Sequence, residues 1–141
     1  MAESIKISID LPVFPERVYR AWLDGAEQTK ITGKKASIEA REGGKFSAMD
    51  GDVNSEILVM TPHNRIVQTW QTKDFSKDSP ASQVEIRLEP TCQGTLVNLH
   101  HTGIPGGKAG SQLQWWENNY LRPMKQYFED LVGEYVADFD G

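Results

Sequence analysis

The feature that most constrains this chain is a change of hydrophobic period in its last third. Up to about residue 102, apolar residues mostly alternate with polar ones, most regularly over 82–89, which is the period of a half-buried strand. From Leu113 to Leu131 the apolar residues recur every three or four positions, which is the period of one helix face. The chain therefore predicts an α+β fold in which many strands precede one long C-terminal helix.

The strands are predicted to form an antiparallel sheet. Turn signals at Gly43-Gly44, Asp50-Gly51 and Gln93-Gly94 divide the segment 36–102 into short extended runs,. Consecutive strands joined by short loops pair in antiparallel order. An alternating strand over 5–11 precedes this segment.

A pair of short helices is predicted between the first strand and the rest of the sheet, over 15–24 and 25–31. Pro15 suits the first helical turn because its missing N–H would have no partner there. With the long helix, these elements form a helix-grip arrangement, a curved antiparallel sheet wrapped around the C-terminal helix. The chain has no repeat or linker, so a single domain is predicted over residues 1–141.

The predicted C-terminal helix carries a wide apolar stripe. The stripe consists of Leu113, Trp116, Tyr120, Met124, Tyr127 and Leu131. Pro123 lies in the helix interior, where it removes a backbone hydrogen bond, so a kink is predicted near the middle of the helix. Bulky aromatic residues on such a stripe either fill the space under the helix or line a cavity.

Charge and cysteine content narrow the classes of partner. The net charge is −5 and the Lys and Arg residues do not cluster, so we expect neither nucleic acid nor an anionic membrane as a partner. Cys92 is the only cysteine, so an internal disulfide and a multi-cysteine metal site are excluded. The N-terminus has no continuous apolar run, so no signal peptide is predicted. We expect a cytoplasmic domain without a cofactor or a metal.

No set of residues forms a recognisable catalytic site. By strand period, His101 points inward with Val97 and Leu99, and His100 points the other way. An inward histidine could act as a general base, although a hydrogen-bonded core histidine is the commoner case. No two carboxylates share the inward face, so no acid–base pair is predicted. We therefore predict no catalytic residue.

The inward face of the sheet and the helix stripe form the candidate binding region. Gln68 and His101 are its only polar members by type, apart from the hydroxyl of Tyr120. A few polar groups in an apolar lining are typical of a small-molecule pocket, but two hydrogen-bonded polar residues in a filled core give the same pattern. Both interpretations stay open. The candidate residues are Phe46, Ile66, Gln68, Trp70, Val84, Ile86, Val97, Leu99, His101, Trp116, Tyr120 and Met124.

Several local strings resemble one known family in sequence order. They are Pro15–Arg20, Gly43–Phe46, Asp50-Gly51, Arg65–Trp70, Gly94-Thr95, Gly103–Pro105, and Trp116 followed by Tyr120. Running from about residue 5 to residue 131, they resemble the C-terminal domain of the activator of heat-shock-protein-90 (Hsp90) ATPase, in the START-like (SRPBCC) superfamily. The resemblance implies a helix-grip fold. It also implies a role among co-chaperones, stress-response proteins or binders of apolar small molecules.

Three functions compete at this point. The first is a non-enzymatic binding domain, either a chaperone cofactor or a carrier of an apolar ligand held between sheet and helix. The alternative is an enzyme like the polyketide cyclases and aromatases, which are more distant relatives, using His101 and Tyr120. The third is a subunit of an oligomer of unknown size. The eukaryotic activator also has an N-terminal domain that engages the chaperone and has no counterpart here, so the resemblance does not imply ATPase activation.

Overall fold

One curved, seven-stranded antiparallel sheet forms the body of the molecule. The computed structural model describes residues 2–140, with side chains for residues 2–133. The strands are β1 (Glu3–Leu11), β2 (Ser37–Ile38), β3 (Lys45–Ala48), β4 (Val53–Thr61), β5 (Arg65–Thr72), β6 (Ser82–Thr91) and β7 (Gly94–Ile104). Their spatial order is β1-β7-β6-β5-β4-β3-β2. From β2 to β7 each strand pairs with its neighbour along the chain, which confirms the predicted antiparallel sheet.

The predicted helix pair is confirmed as α1 (Pro15–Trp22) and α2 (Gly25–Thr32). The side chain of Asp24 caps α2 by accepting a hydrogen bond from the backbone N–H of Glu27 at 3.0 Å,. The helix α2 ends at Gly33, whose φ of 78° is the left-handed conformation that glycine adopts without strain,. The start and the end of α2 are therefore explained by its local sequence.

The C-terminal helix is continuous but not uniform. It consists of α3 (Ala109–Trp116), a π-helical turn (Glu117–Leu121) and α4 (Arg122–Asp140). In the π turn, the N–H of Arg122 donates to the carbonyl of Glu117, five residues earlier. Pro123 follows at once, and a proline ring crowds the carbonyl four residues before it. The predicted irregularity near Pro123 is therefore a widened turn. None of the described helices has the length and apolar composition that a membrane span requires.

The widened turn corrects the predicted stripe. Buried residues recur four apart along the helix, at Gln112, Trp116, Tyr120, Met124 and Phe128, and Leu121 is buried beside them. The extra residue in the π turn rotates the last part of the helix, so Phe128 takes the core position that the stripe gave to Tyr127. Leu113 and Tyr127 are half-buried at the edge of the helix face.

The core lies between the inward face of the sheet, α1 and the C-terminal helix. Its centre is a cluster of five buried aromatic side chains with neighbouring ring centroids 4.7–6.3 Å apart. They are Trp22, Phe46, Trp70, Trp116 and Tyr120. Aromatic pairs in tilted and edge-on arrangements stabilise a core beyond the area they bury, so this cluster joins the three layers.

Candidate functional site

The structure brings the twelve candidate residues together in one buried region. Nine come from β3, β5, β6 and β7, and the other three come from the C-terminal helix. Each has at most 2% of its surface exposed. They are Phe46, Ile66, Gln68, Trp70, Val84, Ile86, Val97, Leu99, His101, Trp116, Tyr120 and Met124.

His101 is held in a directional chain of hydrogen bonds. An indole N–H can only donate, so Nε1 of Trp116 donates to Nδ1 of His101 at 3.0 Å. The neutral imidazole then carries its proton on Nε2, which lies 2.7 Å from Oγ of Ser82. Ser82 in turn donates to the backbone carbonyl of Trp70. Each nitrogen of the imidazole therefore has a partner inside the protein.

This arrangement does not prepare Ser82 for nucleophilic attack. Burial, with a smaller contribution from neighbouring His100, lowers the pKa of His101 to about 4. A histidine that activates a serine must accept the hydroxyl proton, whereas Nε2 of His101 donates to Ser82. The pair therefore serves packing and orientation.

Gln68, the second polar residue of the region, has a hydrogen-bond partner for each of its two side-chain polar atoms. Its Oε1 accepts from the indole N–H of Trp22 at 2.9 Å. Its Nε2 donates to Oγ of Ser55 on β4 at 2.8 Å. These bonds connect β5 to α1 on one side and to β4 on the other, so Gln68 positions elements of the fold.

Known proteins of similar sequence identify the family. The sequence model described as "Activator of Hsp90 ATPase homolog 1-like protein" matches residues 12–129, which is most of the chain. The chain belongs to this family.

Members of this activator family from distant organisms match the same region. The activator of 90 kDa heat shock protein ATPase homolog 1 of Homo sapiens is 28% identical over 114 residues, covering 81% of this chain and 33% of its own. The homologue of Dictyostelium discoideum is 28% identical over 127 residues, covering 89% and 33%. The chain thus spans about a third of the length of these relatives.

A solved structure confirms the predicted helix-grip fold of the activator family. The crystal structure of an HSP90 activator from Plasmodium falciparum is similar with a TM-score of 0.79 and 26% sequence identity. The match covers 92% of this chain and 96% of that one. It therefore extends over the sheet and over the C-terminal helix.

The sequence pattern did not predict the buried hydrogen bonds that Gln28 makes in this activator-family domain. The hydroxyl of Tyr120 donates to Oε1 of Gln28, and Nε2 of Gln28 donates to the carbonyl of Trp22 at 3.0 Å. Burial raises the pKa of Tyr120 well above its usual range. Gln28 is polar and lies on a short helix of weak pattern, so nothing in the sequence distinguishes it from a surface residue.

Replacing Tyr120 by phenylalanine is expected to lower the free energy of unfolding by about 1–3 kcal/mol, because Oε1 of Gln28 stays buried without a donor. Urea denaturation of the purified domain measures this change. Tyr127→Phe is the control, because the partly buried carboxylate of Glu27, which that hydroxyl binds at 2.8 Å, keeps its pair with Arg17; the loss should be smaller, about 1 kcal/mol or less. Equal losses in the two variants would contradict the assigned role of Gln28.

An ion pair links the two short helices to the C-terminal helix. The guanidinium of Arg17 on α1 binds the carboxylate of Glu27 on α2 through both oxygens, and Tyr127 donates to the same carboxylate. The hydrogen bonds from Arg17 hold the pKa of Glu27 below its usual range, despite the opposing effect of burial. The Arg17 guanidinium also lies over the ring of Phe128, 5.3 Å from its centroid,.

Residues of helix α1 line two surface grooves, and we call the exposed side of this helix, together with the two grooves, the α1 ridge. Both grooves include Glu16 and Arg20. The first groove, about 470 Å³, is completed by Pro12, Val13, Phe14, Arg17, Leu131 and Val132. The second, about 340 Å³, is completed by Tyr19, Leu23, Asp24, Ala40, Met60 and His63. Phe14, 63% exposed, is the most exposed large apolar side chain among those the structure describes.

Two further residues of types that often carry chemistry, a histidine and the cysteine, are exposed. His63 lies in the turn between β4 and β5, and Cys92 lies in the turn between β6 and β7. Within the described residues, no three His, Cys, Asp or Glu side chains are grouped so that they could hold a metal ion.

Proposed function

We propose that this chain is a non-enzymatic binding domain that acts as a co-chaperone, and that it contacts an Hsp90-type chaperone through the α1 ridge. Membership of the activator family is the observation that carries the proposal. About a third of each relative's length corresponds to this chain. This similarity supports a role as a partner of the chaperone, and stimulation of the ATPase is a separate question. A cytoplasmic location belongs to the same proposal.

The packing of the core supports binding at the surface. The candidate residues between the sheet and the helix are buried, and the imidazole of His101 and the amide of Gln68 are hydrogen-bonded within the protein. A partner protein therefore meets the outside of the molecule. An exposed aromatic side chain beside an apolar groove is a common anchor of protein interfaces.

The charges of the α1 ridge indicate the chemistry of the partner segment. Arg17 is paired with Glu27, whereas exposed Arg20 has no salt-bridge partner among the residues with described side chains. A free guanidinium next to an apolar groove binds a carboxylate well. The segment of the chaperone that fits this surface therefore combines apolar side chains with an acidic residue.

Binding to a purified Hsp90 chaperone from the same source should be weakened about tenfold or more by Phe14→Ser, because an exposed anchor is lost. Arg20→Glu should also weaken it, and the loss of affinity should be larger at low salt than at high salt. Isothermal titration calorimetry measures both effects, and ATPase turnover of the chaperone is measured in parallel. Leu58→Ser is the matched control, because Leu58 is the other exposed large apolar residue, at 38%.

Equal affinity for the wild type and Phe14→Ser would remove the α1 ridge from the proposal. No binding by the wild-type domain would remove the co-chaperone role itself. Binding without a change in ATPase turnover would support a co-chaperone that docks without stimulating the chaperone.

Binding of an apolar ligand between sheet and helix, and the cyclase or aromatase alternative, stay predictions. Such a ligand would have to displace the buried side chains of Trp116 and Tyr120 or open the helix. Displacement of a fluorescent lipophile by candidate compounds tests this directly. Saturable binding that is lost in His101→Ala with unchanged stability would favour the cavity.

A further inference from the structure

A separate cleft lies where the C-terminal helix begins. It has a volume of about 180 Å³ and shares no residue with the grooves of the α1 ridge. The start of β4, the end of β5 and the first turns of α3 form its walls. The lining residues are Asp52, Val53, Thr72, Lys73, Asp74, Ser111, Gln112 and Trp115.

Gln112 lines this cleft and has a buried hydrogen-bond acceptor without a partner in the described part of the chain. Its side chain is only 2% exposed, and its Oε1 has no hydrogen-bond partner within the described part of the chain. An amide oxygen accepts up to two hydrogen bonds, and a buried acceptor without a donor destabilises the fold. A ligand that brings an N–H or O–H donor would remove that penalty.

The other polar groups of the cleft also favour a donor. Asp52 and Asp74 contribute two carboxylates, and each of them faces one lysine ammonium group. The carboxylates are paired with Lys73 at 3.1 Å and with Lys108 at 3.4 Å, but these pairs are at the surface. Exposed pairs of this kind contribute little and exchange readily, so an incoming cation can replace a lysine.

Trp115 supplies an aromatic wall in a fixed position. Its ring packs edge-on against buried Trp70, with centroids 6.1 Å apart and an interplanar angle of 71°. The half-buried indole of Trp115 offers an apolar surface for a short alkyl chain, over fully buried Val53. Aromatic rings next to carboxylates are a favourable environment for organic ammonium ions.

We propose that this cleft binds a small primary ammonium ion, such as the charged head of an alkylamine. One N–H donates to Oε1 of Gln112, a second reaches a carboxylate of Asp52 or Asp74, and the alkyl chain lies against Trp115. This binding site is independent of the proposed contact with a chaperone. It uses neither the candidate region in the core nor the α1 ridge.

Titration of the whole domain with n-butylammonium, followed by the indole N–H signal of Trp115 in nitrogen-15 NMR spectra, tests the proposal. We expect saturable binding. Butanol, which lacks the charge, and tetramethylammonium, which lacks the donors, should each bind at least about fivefold more weakly, as the loss of one good polar contact predicts. Equal binding of the three compounds, or no saturation with n-butylammonium, would overturn it.

Gln112→Met removes the acceptor while keeping a side chain of similar length. Its melting temperature should equal or exceed that of the wild type, because the unpartnered oxygen is gone, and its affinity for n-butylammonium should fall about fivefold or more. Gln114→Met, at an exposed position of the same helix, is the control and should bind as the wild type does. Unchanged affinity in Gln112→Met would rule out the assigned contact.

Discussion

Replacing Trp116 by alanine is expected to lower the free energy of unfolding by about 3–5 kcal/mol. Trp116 is fully buried at the centre of the aromatic cluster. Its ring stacks on Trp22 at 6.3 Å and lies 4.7 Å from Trp70. The loss of its indole also leaves Nδ1 of His101 without a donor, and a buried acceptor without a partner adds its own cost.

Chemical denaturation with urea measures the loss for Trp116→Ala, and Trp115→Ala serves as the control. Trp115 is the next residue on the helix but is only half-buried at the mouth of the cleft, so its replacement should cost distinctly less. A loss below ~1 kcal/mol for Trp116→Ala would mean that the helix presents another face to the sheet.

Hydrophobic period predicted most of this fold. The alternating runs correspond to β4, β5, β6 and β7, and the period of three and four gave the long helix. Period determines which side of a strand or helix is buried, so the sheet–helix contact followed directly. The same reasoning placed His101 inward and His100 on the opposite side, as the structure has them.

The course of the C-terminal helix beyond its middle could not be predicted from period alone. Pro123 indicated an irregularity, but a kink and a π turn satisfy a proline in different ways. A π turn adds a residue, and every later side chain then rotates around the helix axis. Phe128, not Tyr127, is therefore the residue that completes the core.

The polar contacts of the candidate region depend on residues that are distant in sequence. Gln68 and Trp22 are 46 positions apart, and Tyr120 and Gln28 are 92 positions apart. A period identifies a polar residue on a buried face but not its partner, so a ligand and a core hydrogen bond looked alike. Similarly, an aromatic residue beside a helix start often packs on the first turn, so the sequence pattern did not predict that Phe14 is exposed.

Between pH 6.5 and pH 4 the domain is expected to lose on the order of 3 kcal/mol of stability through His101 alone. Burial, with a smaller contribution from His100, lowers the pKa of His101 from 6.5 to about 4 in the folded protein. Between these pH values the imidazole of His101 is protonated in the unfolded chain but neutral in the folded protein. The contribution is complete above pH 6.5, falls as the pH falls, and is gone below pH 4. Protonation would also set Nδ1–H against the indole N–H of Trp116, two donors facing each other.

His101→Gln isolates this effect, because glutamine can accept from Trp116 and does not titrate. The free energy of unfolding from urea curves at several pH values should be flatter for His101→Gln than for the wild type between pH 6.5 and pH 4. The carboxylates with lowered pKa, such as Glu27 and Glu85, titrate in both proteins and cancel in the difference. If His101→Gln and the wild type lose stability in parallel, His101 takes up protons in the folded state as easily as in the unfolded chain. Binding at the surface, which is inferred from a buried and hydrogen-bonded His101, would then lose this support.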